Sequence, residues 1–215
     1  MQPAAAQDSD PCLHPLTIPV VSVSLDVKEA RVQRRAPSSE LFRLAPPLPD
    51  GYRRIGWTQV DERVRVRPQL ATGTDAYKRF CYIVEGVEVT IQLRPAIHVG
   101  NEFAKATCPS ETIEYHQQRV LDLRLDFYRQ LASQIERDLP RYKPLQITGT
   151  ARDTRDARAR VEARVREEID TIRQGLAPDL ERRILAMHDN SAIRREMKIC
   201  PVEDWADATW PDPKR

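Results

Sequence analysis

Residues 116 to 120 of the sequence, HQQRV, place a histidine where a zinc-binding helix would begin its motif. In the motif H-E-x-x-H, two imidazoles on one face of a helix bind Zn²⁺, and the glutamate acts as general base toward the metal-bound water. Here Gln117 replaces that glutamate and Val120 replaces the second histidine. Because an amide cannot take up a proton near neutral pH and valine cannot bind a metal, the catalytic zinc motif is absent.

Three other side chains are candidates to complete a metal site around His116. His98 ends a strand-like run, and Glu111 and Glu114 precede His116 in the same helical segment. Residues on one helix face are three or four positions apart, a spacing that neither glutamate satisfies. A single helical histidine beside two glutamates is more typical of a surface or capping residue. We therefore predict no catalytic residue and no cofactor; a bound zinc would have His116, His98 and Glu114 as ligands.

The rest of the chain offers no other familiar catalytic arrangement. It has no G-x-S-x-G sequence, and its seven glycines form no phosphate-binding loop. His14 and His188 lie in polar, turn-rich contexts and are not predicted to belong to a site. The sequence therefore favours a protein without enzymatic activity.

The four cysteines, Cys12, Cys81, Cys108 and Cys200, are widely spaced and form no C-x-x-C pair. Two disulfides in an oxidising compartment are the simplest use of such residues, and three connectivities exist. We favour Cys12 with Cys81 and Cys108 with Cys200, since the second pair would tie the start of the central helix to the C-terminal tail. The alternative is four buried free thiols in a cytosolic protein.

The elements that carry these residues follow from a single change in hydrophobic period. Apolar residues alternate between residues 17 and 99, as in TIPVVSVSLDV and CYIVEGVEVTIQLRPAIHV, which predicts strands. The segment APPLPDGY predicts a turn-rich linker. From Pro109 to Pro140 apolar residues recur every three or four positions, which predicts a long central helix. A second, highly charged helical pattern begins near Ala151, and Gly175 and Pro178 are expected to interrupt or kink it.

The predicted fold class is α+β. An antiparallel sheet from the N-terminal half packs against the long central helix, and a second long charged helix follows. The predicted organisation is an N-terminal tail (1–16), an α+β core (17–145), a helical arm or hairpin (146–200) and a C-terminal tail (201–215). Trp205 and Trp210 in the last tail are expected to pack onto the body or a partner.

Composition limits the classes of partner. The chain has 215 residues, and its 34 Lys and Arg against 32 Asp and Glu give a net charge of +2. Nucleic-acid binding needs a one-sided basic patch, so no nucleic-acid partner is expected. No run reaches the ~18 apolar residues of a membrane span. The polar start, MQPAAAQDSDPC, suggests a periplasmic or secreted protein whose signal peptide has been replaced by a start codon.

The layout of residues 80 to 135 resembles a known group of proteins. A cysteine on an early strand, the run PAIHVGNEF, a second cysteine and the segment SETIEYHQQRVLDLRLDFYRQL follow in that order. This order resembles bacterial secreted protein families described as zinc-dependent proteases of unknown function. The resemblance implies a zincin-like scaffold in which His116 matches the first histidine of the family motif. Because Gln117 and Val120 depart from that motif, it implies the scaffold without the activity.

The leading hypothesis is therefore a non-catalytic secreted or periplasmic protein on a degenerate zincin-like scaffold, a pseudoenzyme that binds a protein or peptide partner in the cell envelope. The expected binding groove lies between the strand ending at Val99 and the helix beginning at Pro109. Its predicted lining is Tyr115, His116, Arg119, His98 and Glu111. Arg119 is expected to pair with Glu111 or with a ligand carboxylate.

Two alternatives stay open. The first is a helical interaction module in which residues 151–199 dock onto a partner or join identical chains into an oligomer. The second is a metal-dependent hydrolase with rearranged ligands around His116. Bound zinc would distinguish the second from the rest.

Overall fold

The computed structural model describes residues 18–49, 55–74, 77–103, 107–145 and 149–205. The chain forms two compact units. Unit 1 is built from Met1–Leu25, Val64–Ile91 and Gln130–Gly175. Unit 2 is built from Asp26–Arg63, Gln92–Arg129 and Leu176–Arg215. Each unit contains segments from both the strand-rich first half and the helical second half of the sequence.

Strands precede the long helices, so the predicted α+β class is confirmed. The strands are β1 (Val20–Val27), β2 (Arg31–Gln33), β3 (Trp57–Thr74), β4 (Phe80–His98) and β5 (Gly149–Thr150). The α-helices are α1 (Ser38–Leu44), α2 (Cys108–Asp138), α3 (Thr154–Met187) and α4 (Asn190–Met197). Short 3-10 turns lie at Asn101–Phe103, Leu139–Arg141, Lys143–Leu145 and Val202–Trp205.

The sheet is centred on β4, and the predicted antiparallel sheet is wrong. Its strand order is β1-β4-β2, and β3 and β5 also pair with β4. Strand β2 runs parallel to β4, with the partners Arg31 and Ala96, Val32 and Ile97, Gln33 and His98. The two-residue β5 runs antiparallel to β4, with the partners Cys81 and Thr150, Tyr82 and Gly149.

The error in strand direction has a simple physical cause. Alternation of apolar residues determines which face a side chain occupies, but the pattern is the same for parallel and antiparallel strands. A parallel pair needs a crossover of about a dozen residues or more. The segment between β2 and β4 contains α1 and the long β3, and it supplies that connection.

In unit 1, the first half of α3 is a buried element. Its inward residues recur every three or four positions, as the sequence predicts: Ala157, Val161, Val165, Ile169 and Ile172. A predicted interruption of this helix is wrong, because α3 continues through Gly175 and Pro178 as far as Met187, whereas a kink there stays a prediction. Most charged residues between the buried positions are exposed.

In unit 2, a hydrophobic core joins β4, α2 and the C-terminal elements. It consists of Ile55, Ile97, Val99, Phe103, Ile113, Leu121, Ile193, Cys200 and Trp205. The indole Nε1 of Trp205 donates to the carbonyl of Met197 at 3.0 Å. The expectation that Trp205 packs onto the body is thus confirmed, and Trp210 lies outside the described residues.

The predicted disulfide between Cys108 and Cys200 is confirmed. Their Cα atoms are 5.6 Å apart, and the bond closes a separation of 92 residues. It joins the first residue of α2 to the chain that follows α4. The other predicted pair involves Cys12, which lies outside the described residues; Cys81 is buried, and no described cysteine is free.

Within the described ranges, no helix has both the length and the apolar character needed to span a bilayer.

Candidate functional site

His116 is completely buried on α2, so the interpretation of it as a surface or capping residue is wrong. Its Nδ1 lies 2.5 Å from Oε2 of Glu196 on α4. Its Nε2 lies 3.4 Å from Nδ1 of His188, which follows α3. Glu196, His116 and His188 are therefore connected in that order, and we call them the histidine relay.

Arg119 determines the charges within the relay. Its Nη1 lies 2.9 Å from Oε1 of Glu196 and balances that carboxylate. Burial raises the pKa of Glu196, while Arg119 acts to lower it. Burial, reinforced by the charge of Arg119, lowers the pKa of His116 to about 4. Although a carboxylate touches His116, Arg119 offsets its negative charge, so we take the imidazole to be neutral at pH 7.

The tautomers of the relay follow from its hydrogen bonds. A neutral His116 donates its Nδ1–H to Glu196, so its Nε2 is an acceptor. His188 must then donate from Nδ1 across the longer contact. Both ring nitrogens of His116 are therefore used within the protein.

The candidate metal ligands are not brought together. Among the described residues, no group of three or more His, Cys, Asp or Glu side chains is placed to hold a metal ion. His98 stacks on Trp57, with ring centroids 4.8 Å apart. Glu114 forms an ion pair with Arg34 instead of facing His116.

The residues predicted to line one groove lie in different environments. Tyr115 is 63% exposed, whereas the adjacent His116 is fully buried. Arg119 lies over the Tyr115 ring and pairs with Glu196 rather than with Glu111. Glu111 is exposed near the start of α2, and the strand end at residue 99 is buried. Whether these residues bind a partner stays a prediction.

Next to the relay, unit 2 contains a cavity of about 430 Å³. This volume lies within the range of about 300–1,000 Å³ that is typical of small-ligand sites. We call it the proline-walled cavity, because one side is formed by Pro46, Pro47, Leu48 and Pro49. Prolines suit an apolar wall because they carry no backbone N–H that would need a partner.

Two helices each present one face to the cavity. Gln117, Val120 and Arg124 recur along α2 at helical spacing, and His188 follows the last turn of α3. The lining residues of α3 itself have the same periodicity: Ala177, Leu180, Glu181, Ile184 and Leu185. The continuation of α3 through Pro178 thus supplies one complete wall.

The start of β3 closes the cavity through Gly56, Trp57 and Thr58. A Cβ atom at Gly56 would lie 2.8 Å from Cγ2 of Ile113 and 2.9 Å from Cγ of Gln117. Such distances are too short for any larger residue without movement of α2. Glycine therefore allows the strand to approach the helix closely enough to bring Thr58 to Gln117.

The cavity lining carries polar atoms that lack partners. Gln117 is only 1% exposed, and its Oε1 lies 2.9 Å from the hydroxyl of Thr58. Its Nε2 has no hydrogen-bond partner within the described residues, and neither does the buried Nε of Arg124. A buried donor without an acceptor costs about 1–3 kcal/mol, so these two residues of the cavity lining are candidates for contact with a ligand.

Burial also lowers the pKa of Arg124, and Tyr128 acts weakly in the opposite direction. A guanidinium nevertheless remains protonated in proteins. Its charge lies at a cavity lined mostly by apolar side chains. The lining therefore combines apolar side chains with the Arg124 cation, the Gln117 amide and the Glu181 carboxylate.

Sequence reasoning singled out His116 but missed Glu196, His188, Gln117 and Arg124 as members of polar clusters. One signal was present for Glu196: the predicted Cys108 to Cys200 bond brings the C-terminal segment beside the start of α2. Nothing comparable placed residues 177–188 against α2. No protein-family model matches this chain, and no curated protein or solved structure is significantly similar to it.

Proposed function

We propose that this protein is a non-catalytic binding protein that holds an apolar segment of a peptide or protein partner in the proline-walled cavity. The observation that carries the proposal is the coexistence, in one cavity, of an apolar wall with the unpartnered donors of Gln117 and Arg124. A protein interior normally satisfies such groups. Gln117 and Arg124 both belong to the lining of this cavity, which suits it to a ligand that brings acceptors.

The local chemistry supports binding rather than nucleophilic catalysis. A nucleophile needs a base within hydrogen-bond reach. The Thr58 hydroxyl, which lines the cavity, is directed to the Gln117 carbonyl and amide oxygens. No described cysteine is free, and both nitrogens of His116 are engaged by protein groups. The relay therefore serves to position His188 and the C-terminal elements.

We also propose that the protein works in the periplasm or outside the cell. The bond between Cys108 and Cys200 supports this location because disulfides persist mainly in oxidising compartments. The zincin-like scaffold remains part of the proposal as a resemblance in layout. A thiol count on protein isolated from the native host under alkylating conditions tests the location: free Cys108 and Cys200 would contradict it.

A cavity-filling substitution tests the binding function directly. Ala177 lines the cavity and is half-buried, so Ala177→Phe should occupy the space that a ligand would use. Ala186→Phe is the matched control, because Ala186 is exposed on the same helix and does not line the cavity. Binding of a neutral solvatochromic dye, N-phenyl-1-naphthylamine, provides the readout. We expect it in wild type and Ala186→Phe but not in Ala177→Phe; equal binding by all three would refute the proposal.

A further inference from the structure

We infer that the proline-walled cavity recognises a carboxylate at the end of an apolar body and that Arg124 is the cation that pairs with it. The inference rests on the proposed binding function and specifies the chemistry of the ligand. Arg124 belongs to neither the relay nor the disulfide nor the hydrophobic core, and the inference gives it a role.

Arg124 has no counterion among the described residues. Its Nε is buried without a hydrogen-bond partner, and no ion pair joins it to a carboxylate of the described residues. Five residues earlier on the same helix, Arg119 is paired with Glu196 at 2.9 Å. Arg124 is half-buried and lines the cavity, so its guanidinium is available to an anion from outside the chain.

The rest of the lining favours a monoanion over a more highly charged group. The unpartnered Nε2 of Gln117 offers a neutral second donor. Glu181 is exposed at the same cavity, and its negative charge disfavours a dianion such as phosphate. A carboxylate has one negative charge and two coplanar oxygens that match the guanidinium fork.

The apolar lining indicates that the carboxylate is attached to an apolar group. Pro46, Pro47, Leu180 and Ile184 are among the apolar residues of the lining. Burial of apolar ligand surface against them supplies affinity, while the carboxylate supplies specificity. Two sources share this chemistry: the C-terminal residue of a peptide with an apolar end, and a free medium-chain carboxylic acid.

Calorimetric titration of the full, oxidised chain at pH 7 tests the inference with two matched pairs of probes. One pair is octanoate and 1-octanol. The other is an N-acetylated apolar tripeptide with a free C-terminus and the same tripeptide as its C-terminal amide. We expect at least one carboxylate to bind about tenfold to one-hundredfold more tightly than its neutral analogue. A preference in the peptide pair supports the peptide partner of the proposed function. A preference confined to the octanoate pair supports the carboxylate site but contradicts a peptide partner.

Arg124→Met should abolish this preference while leaving the neutral probes bound with unchanged affinity. Arg129→Met is the control, because Arg129 is exposed on α2 and contacts Asp126 away from the cavity. If Arg124→Met does not fold, Arg124→Lys takes its place. Lysine retains the positive charge but lacks the two parallel N–H donors of the guanidinium, so it should reduce the preference for the carboxylate. Equal affinity for carboxylates and neutral analogues, or an undiminished preference in a folded Arg124 variant, would overturn the inference. Failure of the binding function itself is distinguishable, because neither class of probe would bind.

Discussion

Two polar clusters of unit 2 begin at adjacent residues of α2 and differ in completeness. His116 uses both ring nitrogens within the histidine relay. Gln117, the next residue, leaves its amide Nε2 unpartnered at the cavity. The same contrast separates Arg119, which is paired with Glu196, from Arg124, whose Nε lacks a partner in the described chain.

The difference indicates that the complete cluster contributes to stability and the incomplete cluster contributes to binding. A complete buried network holds elements in place, and the loss of one member leaves the others unsatisfied. An incomplete network destabilises the free protein slightly and is completed by a ligand. We therefore expect substitutions in the relay to lower the free energy of unfolding, and substitutions at the cavity donors to affect affinity.

The largest effect should come from removing the disulfide that holds the relay's C-terminal member. Replacing both Cys108 and Cys200 by alanine removes a constraint on a loop of 92 residues, which should lower the free energy of unfolding by about 4 kcal/mol. Urea denaturation measures this change. Neither cysteine lines the cavity, so the folded double variant should still bind the dye. An unchanged urea midpoint would show that the bond does not stabilise unit 2.

The next effect concerns the relay itself. His116→Ala leaves Glu196 and His188 without a shared partner and creates a void, so the free energy of unfolding should fall by about 3 kcal/mol. Tyr115→Ala is the matched control on the neighbouring, exposed residue and should change it by less than about 0.5 kcal/mol. Similar decreases in the free energy of unfolding of the two variants would contradict the expected difference between the buried relay and the exposed face of α2.

Acidification should weaken the relay without a mutation. The pKa of His116 falls from 6.5 to about 4 on folding, so between these values the unfolded chain binds a proton that the folded protein does not. The free energy of unfolding should therefore decrease as the pH falls from 6.5 toward 4, by up to about 3 kcal/mol. The raised pKa of Glu196 acts in the opposite direction and reduces the net loss.

Urea denaturation at several pH values, compared between wild type and His116→Gln, isolates this contribution from those of other carboxylates. The variant should lose the part of the pH dependence that lies between pH 6.5 and 4. Parallel curves for the two proteins would contradict a neutral, buried His116.

The smallest effects should be opposite in sign at the two arginines. Arg119→Met breaks the ion pair with Glu196 and should lower the free energy of unfolding by about 1 kcal/mol. Arg124→Met removes a partly buried charge that has no counterion in the described part of the chain, and it should raise the free energy of unfolding by about 1 kcal/mol in the absence of ligand. Thermal unfolding of both variants measures the two signs. A loss of stability in Arg124→Met would indicate that the guanidinium already has a stabilising partner.

Several features of the fold follow from local sequence. The alternating run before residue 99 predicts the long strand β4, and the stripe from Val161 to Ile172 predicts the buried side of α3. The Cys108 to Cys200 bond was also predicted, because it offered a plausible tie between the central helix and the tail. Strand direction was not predictable in this way, since the alternation is the same in both directions.

Pro178 illustrates a limit of local rules. A proline inside a helix removes one hydrogen bond and favours a break. In the structure, α3 nevertheless continues through it, and residues on both sides of Pro178 line the cavity. Packing of an amphipathic face contributes more to helix stability than the preference of one residue.

The sequence by itself determined the α+β class, the positions of the long helices and the absence of a zinc hydrolase motif at Gln117 and Val120, because each depends on residues close together in the chain. Only the tertiary structure decided that His116 is buried, that Glu196 and His188 contact it, and that Arg124 faces a cavity. The partners of His116 lie 72 and 80 residues away. Such contacts depend on how α2, α3 and α4 pack, and hydrophobic periodicity specifies the faces that are buried but not the residues that meet there.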